Sequence, residues 1–292
     1  MSITSSFEQF CKNLRMPETI VNTIRDRYQR ITQNINRNYW DSDSLINHSW
    51  YVGSYGRGTE IWTSDIDILI QLPYSTYEKF NSYSINGQSA LLQEVKSILK
   101  RTYARTELRG DGQVVCINFS DGINFEIVPA FINNNDTFTY PNTNQGGSWK
   151  VTNPKEEIRA INGLNSLTNK NLKRLCRMAR AWKQNCNVNV SGILIDTLAY
   201  DFIKNYAYRD KSFVYYDWIS RDFFEYLSNQ SSSQERWLVP GSNRYIYEKN
   251  HFQYKAKLAY IKACEAISNA ESNYVYSATL CWREIYGTKF PW

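Results

Sequence analysis

The chain has 292 residues, with 34 lysines and arginines against 28 aspartates and glutamates, for a net charge of +6; 42% are hydrophobic and 21% charged. These are the proportions of a soluble globular protein with one large domain or two moderate ones, and the spread charge lacks the block of like residues that marks a nucleic-acid arm. The sequence shows no run of about 18 apolar residues and no apolar leader, so neither a membrane span nor a signal peptide is expected.

Six scattered cysteines (Cys11, Cys116, Cys176, Cys186, Cys264 and Cys281), no CxxC pair and two histidines, His48 and His251, argue against a zinc site. They fit free thiols in a reducing cytosol. The 22 tyrosines and 9 tryptophans are many, and most are expected to pack in the core or at its surface. The mild positive field would favour an anionic ligand.

Residues Pro17 to Trp40 place Ile20, Ile24, Tyr28, Ile31 and Ile35 three or four apart, which predicts one long amphipathic helix with Pro17 in its first turn. After "DSDS" the runs shorten to β-like stretches: "HSWYVG", "DIDILIQL" and, past a helical stretch around Leu91 to Leu99, "RTELR", "GQVVCINF" and "INFEIVPAF". An "SDG" turn joins the last two as a hairpin. Asp136 to Asn153, rich in Asn, Thr, Gly and Pro, is expected to be a loop crossing between two lobes.

Beyond it "LKRLCRMARAWKQN", "GILIDTLAYDFIKNYAY", "WISRDFFEYLSN" and "QYKAKLAYIKACEAISNAES" carry the helical period, with an exposed loop at Ser228 to Asn243. The order predicts an α+β fold. Residues 1–150 form a mixed-sheet core with its long N-terminal helix, and residues 151–292 an α-helical lobe.

One stretch conflicts with ordinary packing. In "VGSYGRGTEIWTSDIDILIQLP", Val52 to Pro73, Asp65 and Asp67 fall inside an apolar strand from Ser64 to Leu72. Alternation puts both on one face, about 7 Å apart, while Ile66 and Ile68 face the core. Two carboxylates so placed repel each other unless divalent cations hold them. Val52 to Thr59 reads as a turn in which Gly53, Gly56 and Gly58 allow close backbone approach and Ser54 offers a hydroxyl to phosphate, with Thr59 to Thr63 as the spacer.

Glu126 is the expected third carboxylate, opposite the apolar Phe125 and Ile127, whereas Asp121 belongs to the hairpin turn. Trp182 reads as packing.

These features resemble nucleotidyltransferases with the DNA polymerase beta type of fold, whose D-x-D carboxylates hold two Mg2+ ions. With "FEIVPAF", "LKRLCRMARAWKQN", "VSGILIDTLAYDF" and "CWREIYGTKFP", the resemblance extends over nearly the whole chain to the bacterial CD-NTases. Those enzymes are similar to cyclic GMP-AMP synthase and to oligoadenylate synthases.

The resemblance implies catalytic and metal-holding roles for Asp65, Asp67 and Glu126, with two Mg2+ (or Mn2+) ions, although many members carry Asp as the third carboxylate. It implies substrate binding by Gly53, Ser54, Arg180 (where relatives often have Lys) and Ser191, in one active site between the lobes. The implied product is a cyclic di- or trinucleotide such as cyclic GMP-AMP, made from ATP, GTP or pyrimidine triphosphates with release of pyrophosphate. The implied setting is a monomer in the bacterial cytoplasm, in anti-phage (CBASS-type) defence, reaching an effector through its messenger and binding neither membrane nor nucleic acid directly. A transferase acting on RNA or a small molecule, and a catalytically inactive nucleotide-binding regulator, remain as alternatives.

Overall fold

A computed structural model of the chain describes residues 2–61 and 65–292. Helix α1, Ile3–Asn13, starts at Ser2, whose hydroxyl accepts from the Ser5 N–H at 3.2 Å, and buries Phe7 and Phe10 completely. The sequence predicts no element here, because the apolar residues Ile3, Phe7, Phe10 and Cys11 are scattered through a polar segment.

Helix α2, Glu18–Tyr39, is the expected long helix, buried through Ile24, Tyr28, Ile31 and Ile35. Pro17 caps it rather than occupying its first turn. Strand β1, Ser49–Tyr51, and the short helix α3, Gly53–Arg57, lead to strand β2, Asp65–Gln71. The expected strand start at Ser64 and the end of the spacer at Thr63 lie outside the described residues.

Helices α4, Tyr74–Asn81, and α5, Gly87–Thr102, precede strands β3, Glu107–Asp111, β4, Val114–Asn118, and β5, Asn124–Ile132. The β4–β5 pair is antiparallel, as the expected hairpin requires. The expected loop at 136–153 instead holds strands β6, Phe138–Asn142, and β7, Ser148–Thr152, paired antiparallel. Only the centre of this polar stretch is a turn, where Gln145, Gly146 and Gly147 take positive φ.

The sheet order is β1-β2-β5-β4-β3, with β6 and β7 continuing from β5. Strands β2 and β5 run parallel, and the others pair antiparallel. The sheet is therefore mixed, as expected.

Helices α6, Pro154–Leu167, α7, Asn171–Asn185, α8, Gly192–Lys204, α9, Tyr216–Ser228, α10, Gln253–Glu271, and α11, Val275–Tyr286, form the C-terminal part. A small ribbon of β8, Arg236–Leu238, and β9, Tyr245–Tyr247, starts within the stretch expected to be loop. Trp237 and Ile246 pair across it and are buried, so two apolar anchors give that polar segment a strand.

Two compact units result: a sheet unit of residues 17–56 and 63–155, and a helical unit of residues 1–16, 57–62 and 156–292. In the helical unit, Phe7 meets Trp282 at 4.9 Å and Phe10 meets Tyr286 at 4.7 Å. Helix α1 is thereby built into the core that also takes the C-terminal "CWREIYGTKFP". Trp182 packs against Phe224 at 5.3 Å with 1% of its surface exposed, as its core reading required.

Candidate active site

The two sides of β2 have opposite chemistry. Ile66, Ile68 and Ile70 are fully buried on one face, and the alternation sends Asp65 and Asp67 to the other. Because β5 runs parallel to β2, Asp67 pairs with Glu126 and Asp65 with Asn124. Phe125 and Ile127 are buried on the apolar face, so Glu126 stands beside Asp67 as the alternation predicts.

The row continues from Glu126 to Cys116 on β4 and from Cys116 to Arg109 on β3. Asn124 donates to the Asp65 carboxylate at 3.4 Å. Burial first, then the charges of Asp67, Asp65 and Asp111, push the Glu126 carboxyl above the usual carboxylate range, against the pull of Arg109.

The glycine turn is fitted to this row. Gly53 has φ +59°, and a Cβ on it would lie 1.7 Å from the Asp67 Oδ2. The Asp67 carboxylate thus occupies space that any other residue at position 53 would fill. The Val52 N–H donates to the Asp67 carbonyl at 2.9 Å, tying turn to strand, and Ser54 follows in the first turn of α3.

Among the described residues no three His, Cys, Asp or Glu side chains converge into a preformed metal site. The donor chemistry nevertheless fits Mg2+: three hard carboxylates lie on two adjacent strands, two of them directly in register, and a cation that keeps several waters needs no closed protein cage.

In the helical unit Arg180 and Ser191 meet different neighbours. The Arg180 Nη2 donates to both oxygens of Asp196 at 2.8 Å, to the Gly192 carbonyl at 3.0 Å and to the Thr59 hydroxyl at 3.4 Å. Asp196, 1% exposed, also accepts from Arg57 Nε at 3.0 Å and from the Thr59 hydroxyl at 2.7 Å. Glu157, 3% exposed, accepts from Arg244 at 2.7 Å and Ser242 at 2.9 Å and lies 3.6 Å from Arg57.

Ser191 caps α8 without a side-chain cap bond, and its N–H donates to Glu248 at 3.0 Å. Arg180 grips the carbonyl of the residue after Ser191, so it fixes the start of α8 whatever it touches besides.

The sequence reading missed Asp196 and Glu157. For Asp196 a signal was there: an acid inside the apolar "GILIDTLAY" can be buried only with partners. What no spacing shows is that the partners come from 57–59 and from 180.

Paired carboxylates on one strand with a third on its parallel neighbour are a donor set that suits two-metal phosphoryl transfer. The chain belongs to the Second Messenger Oligonucleotide or Dinucleotide Synthetase (SMODS) domain family, whose model matches residues 1–165. It is 24% identical over 223 residues to a probable cyclic nucleotide synthase of Bacillus cereus (strain VD146), a match that takes in 69% of this chain. The chain spans about 62% of the length of that relative.

Its fold is similar to that of CdnC from E. coli MS115-1, solved with ATP, at TM-score 0.68 and 15% identity, covering 99% of this chain and 98% of that one. It is also similar to the Bradyrhizobium diazoefficiens CD-NTase CdnG, solved with GTP, at TM-score 0.69 and 9% identity over 99% and 96% of the two chains. For Vibrio cholerae DncV the values are 0.66 and 12%, over 99% and 86%.

Proposed function

We propose that this chain is a cyclic oligonucleotide synthase, joining nucleoside triphosphates into a cyclic di- or trinucleotide such as cyclic GMP-AMP. The observation that carries the reading is the register of Asp67 with Glu126, with Asp65 two residues away and the Asp67 carboxylate seated where a Cβ on Gly53 would stand. Family membership supports the activity, and the ATP and GTP of the CdnC and CdnG structures support triphosphates as substrates.

In each step a ribose hydroxyl oxygen bonds to the α-phosphorus of a triphosphate, the bond to the bridging oxygen breaks, and pyrophosphate leaves. Asp65, Asp67 and Glu126 would hold two Mg2+ (or Mn2+) ions, which when bound stabilise the entering and leaving oxygens of an in-line displacement. Glu126 positions the attacking hydroxyl and accepts its proton. Gly53 keeps the Asp67 carboxylate in place, and the Ser54 and Ser191 hydroxyls bind donor phosphates. Arg180 contributes through its hold on α8 and, with a side chain 14% exposed, through the phosphates themselves.

Cyclisation requires the linear intermediate to turn so that its own hydroxyl attacks its remaining triphosphate, expelling the second pyrophosphate. The family resemblance is what supports a monomer in the bacterial cytoplasm, signalling to an effector in anti-phage defence, as its setting. No described helix is long and apolar enough to cross a membrane.

Incubation with Mg2+ and radiolabelled triphosphates, followed by phosphatase, tests the reading. A phosphatase-resistant product that disappears in Asp65→Ala with Asp67→Ala is expected. An extended linear product would instead indicate a transferase acting on RNA or a small molecule, and bound nucleotide without turnover an inactive regulator. Synthesis retained in the double variant would sink the metal assignment.

A further inference from the structure

A cavity of about 460 Å3 opens in the helical unit, between the end of α1, the turn before α7 and the first turns of α7. Its walls include the cations Lys12, Arg15, Lys170, Lys173, Arg174 and Arg177, against the single carboxylate of Glu8.

Part of that charge is already answered. Lys12 pairs with Glu8 at 2.9 Å, and Arg177 lies 3.6 Å from Glu60 while donating to the Gly58 and Glu60 carbonyls. Among the described residues no carboxylate is within ion-pair distance of Arg15, Lys170, Lys173 or Arg174. Arg174 is held in place by the Asn169 carbonyl, Asn171 and Tyr216, with its guanidinium 4.8 Å from the centre of the Phe213 ring. Lys173 is half-buried, and burial followed by the charge of Arg177 pulls its ammonium below its ordinary value. Cys11, at the same wall, is pushed up to about 12 by burial and adds no negative charge.

Cations gathered in a concave, partly desolvated pocket repel one another until an anion enters. Four unanswered positive groups match the three or four negative charges of a polyphosphate better than those of a single phosphate. The size is that of a small-molecule pocket, and the charge converges on one cavity rather than running as a stripe along a nucleic-acid track.

We propose that this cavity binds a nucleotide-sized anion carrying two or more phosphate groups, at a site that shares no side chain with Asp65, Asp67, Glu126, Ser54, Arg180 or Ser191. The site does not depend on the catalytic reading, and the two can fail separately.

Calorimetric titration of the full chain with ATP and with tripolyphosphate, in EDTA so that no divalent cation bridges ligand and carboxylates, tests it. Both are expected to bind. Arg15→Glu with Lys170→Glu should weaken each by about a hundredfold, since each reversal removes a charge-assisted contact worth roughly tenfold. Asp65→Asn with Asp67→Asn should leave the affinities unchanged. If the double reversal does not fold, Lys12→Ala and Lys173→Gln should each cost about tenfold.

The proposal is overturned by failure of ATP to bind or by unchanged affinity in the charge variants. It is equally overturned by loss of binding in the carboxylate variant, or by capture of a short RNA duplex at concentrations where ATP does not bind.

Discussion

Acidic side chains leave bulk water in both units, and the two units answer them in opposite ways. In the helical unit Asp196 meets Arg57 at 3.0 Å and Arg180 at 2.8 Å, and Glu157 meets Arg244 at 2.7 Å. In the sheet unit Asp67 and Glu126 stand side by side, and the charges of Asp67 and Asp65 add to burial in pushing the Glu126 carboxyl up. Carboxylates buried against cations, as Asp196 and Glu157 are against Arg57, Arg180 and Arg244, serve the fold. A partly buried group of like sign, with Asp65 exposed and Asp67 and Glu126 half-buried, costs stability, and it makes physical sense where a bound cation supplies the missing charge.

Five variants would break or sharpen this contrast. Asp65→Ala with Asp67→Ala should lower synthesis at least ~1000-fold, as loss of a charge-stabilising group does in a preorganised site. Its thermal unfolding should stay the same or shift upward, because like charges are removed; a collapse of the fold would place these aspartates with the architectural set. Asp196→Ala should do the reverse. It strands Arg57 and Arg180, and breaking a buried pair costs about 3–5 kcal/mol, which denaturant unfolding would read directly; a stability loss under about 1 kcal/mol would contradict the ion-pair account.

Gly53→Ala forces a methyl onto the Asp67 carboxylate in a left-handed backbone, at a conformational cost of about 1–2 kcal/mol. Synthesis is expected to fall about a hundredfold, on the scale of displacing a reacting group by an ångström, while Gly58→Ala, whose Cβ would meet the flexible end of Lys173, should retain more activity.

The smallest effect concerns Glu60. One of its carboxylate oxygens is buried without a hydrogen-bond partner, and burial raises its pKa despite Arg177 and Lys173. Since the folded state then binds the proton more tightly than the unfolded one, its contribution is complete below the unfolded pKa and is lost as pH rises through the folded value. Glu60→Gln should therefore raise the melting temperature near neutral pH, and the gain should vanish below about pH 4. A gain that grows toward acid would reverse the assignment.

Much of the site was legible because strand alternation is local. Ile66 and Ile68 against Asp65 and Asp67, and Phe125 and Ile127 against Glu126, are facts of period two that no packing had to supply. The glycine at 53 was legible as a turn residue, but its contact with Asp67 was not, since that needs the strand folded back beside it.

Segments were misread where composition and pattern disagree. The 136–153 stretch carries turn residues at its centre and strands at its ends, and α1 owes its place to two phenylalanines whose partners lie at the other end of the chain.

Sequence alone determined the α+β class, the long helix and the carboxylate face of β2, because each follows from residue periodicity and backbone sterics within a few positions. Tertiary structure decided the rest. The parallel pairing that sets Glu126 beside Asp67, the Arg57 that meets Asp196, and the gathering of cations from α1 and α7 around one cavity all join residues tens to more than a hundred positions apart. Electrostatic energy depends on distance in space, and separation along the chain does not reveal it.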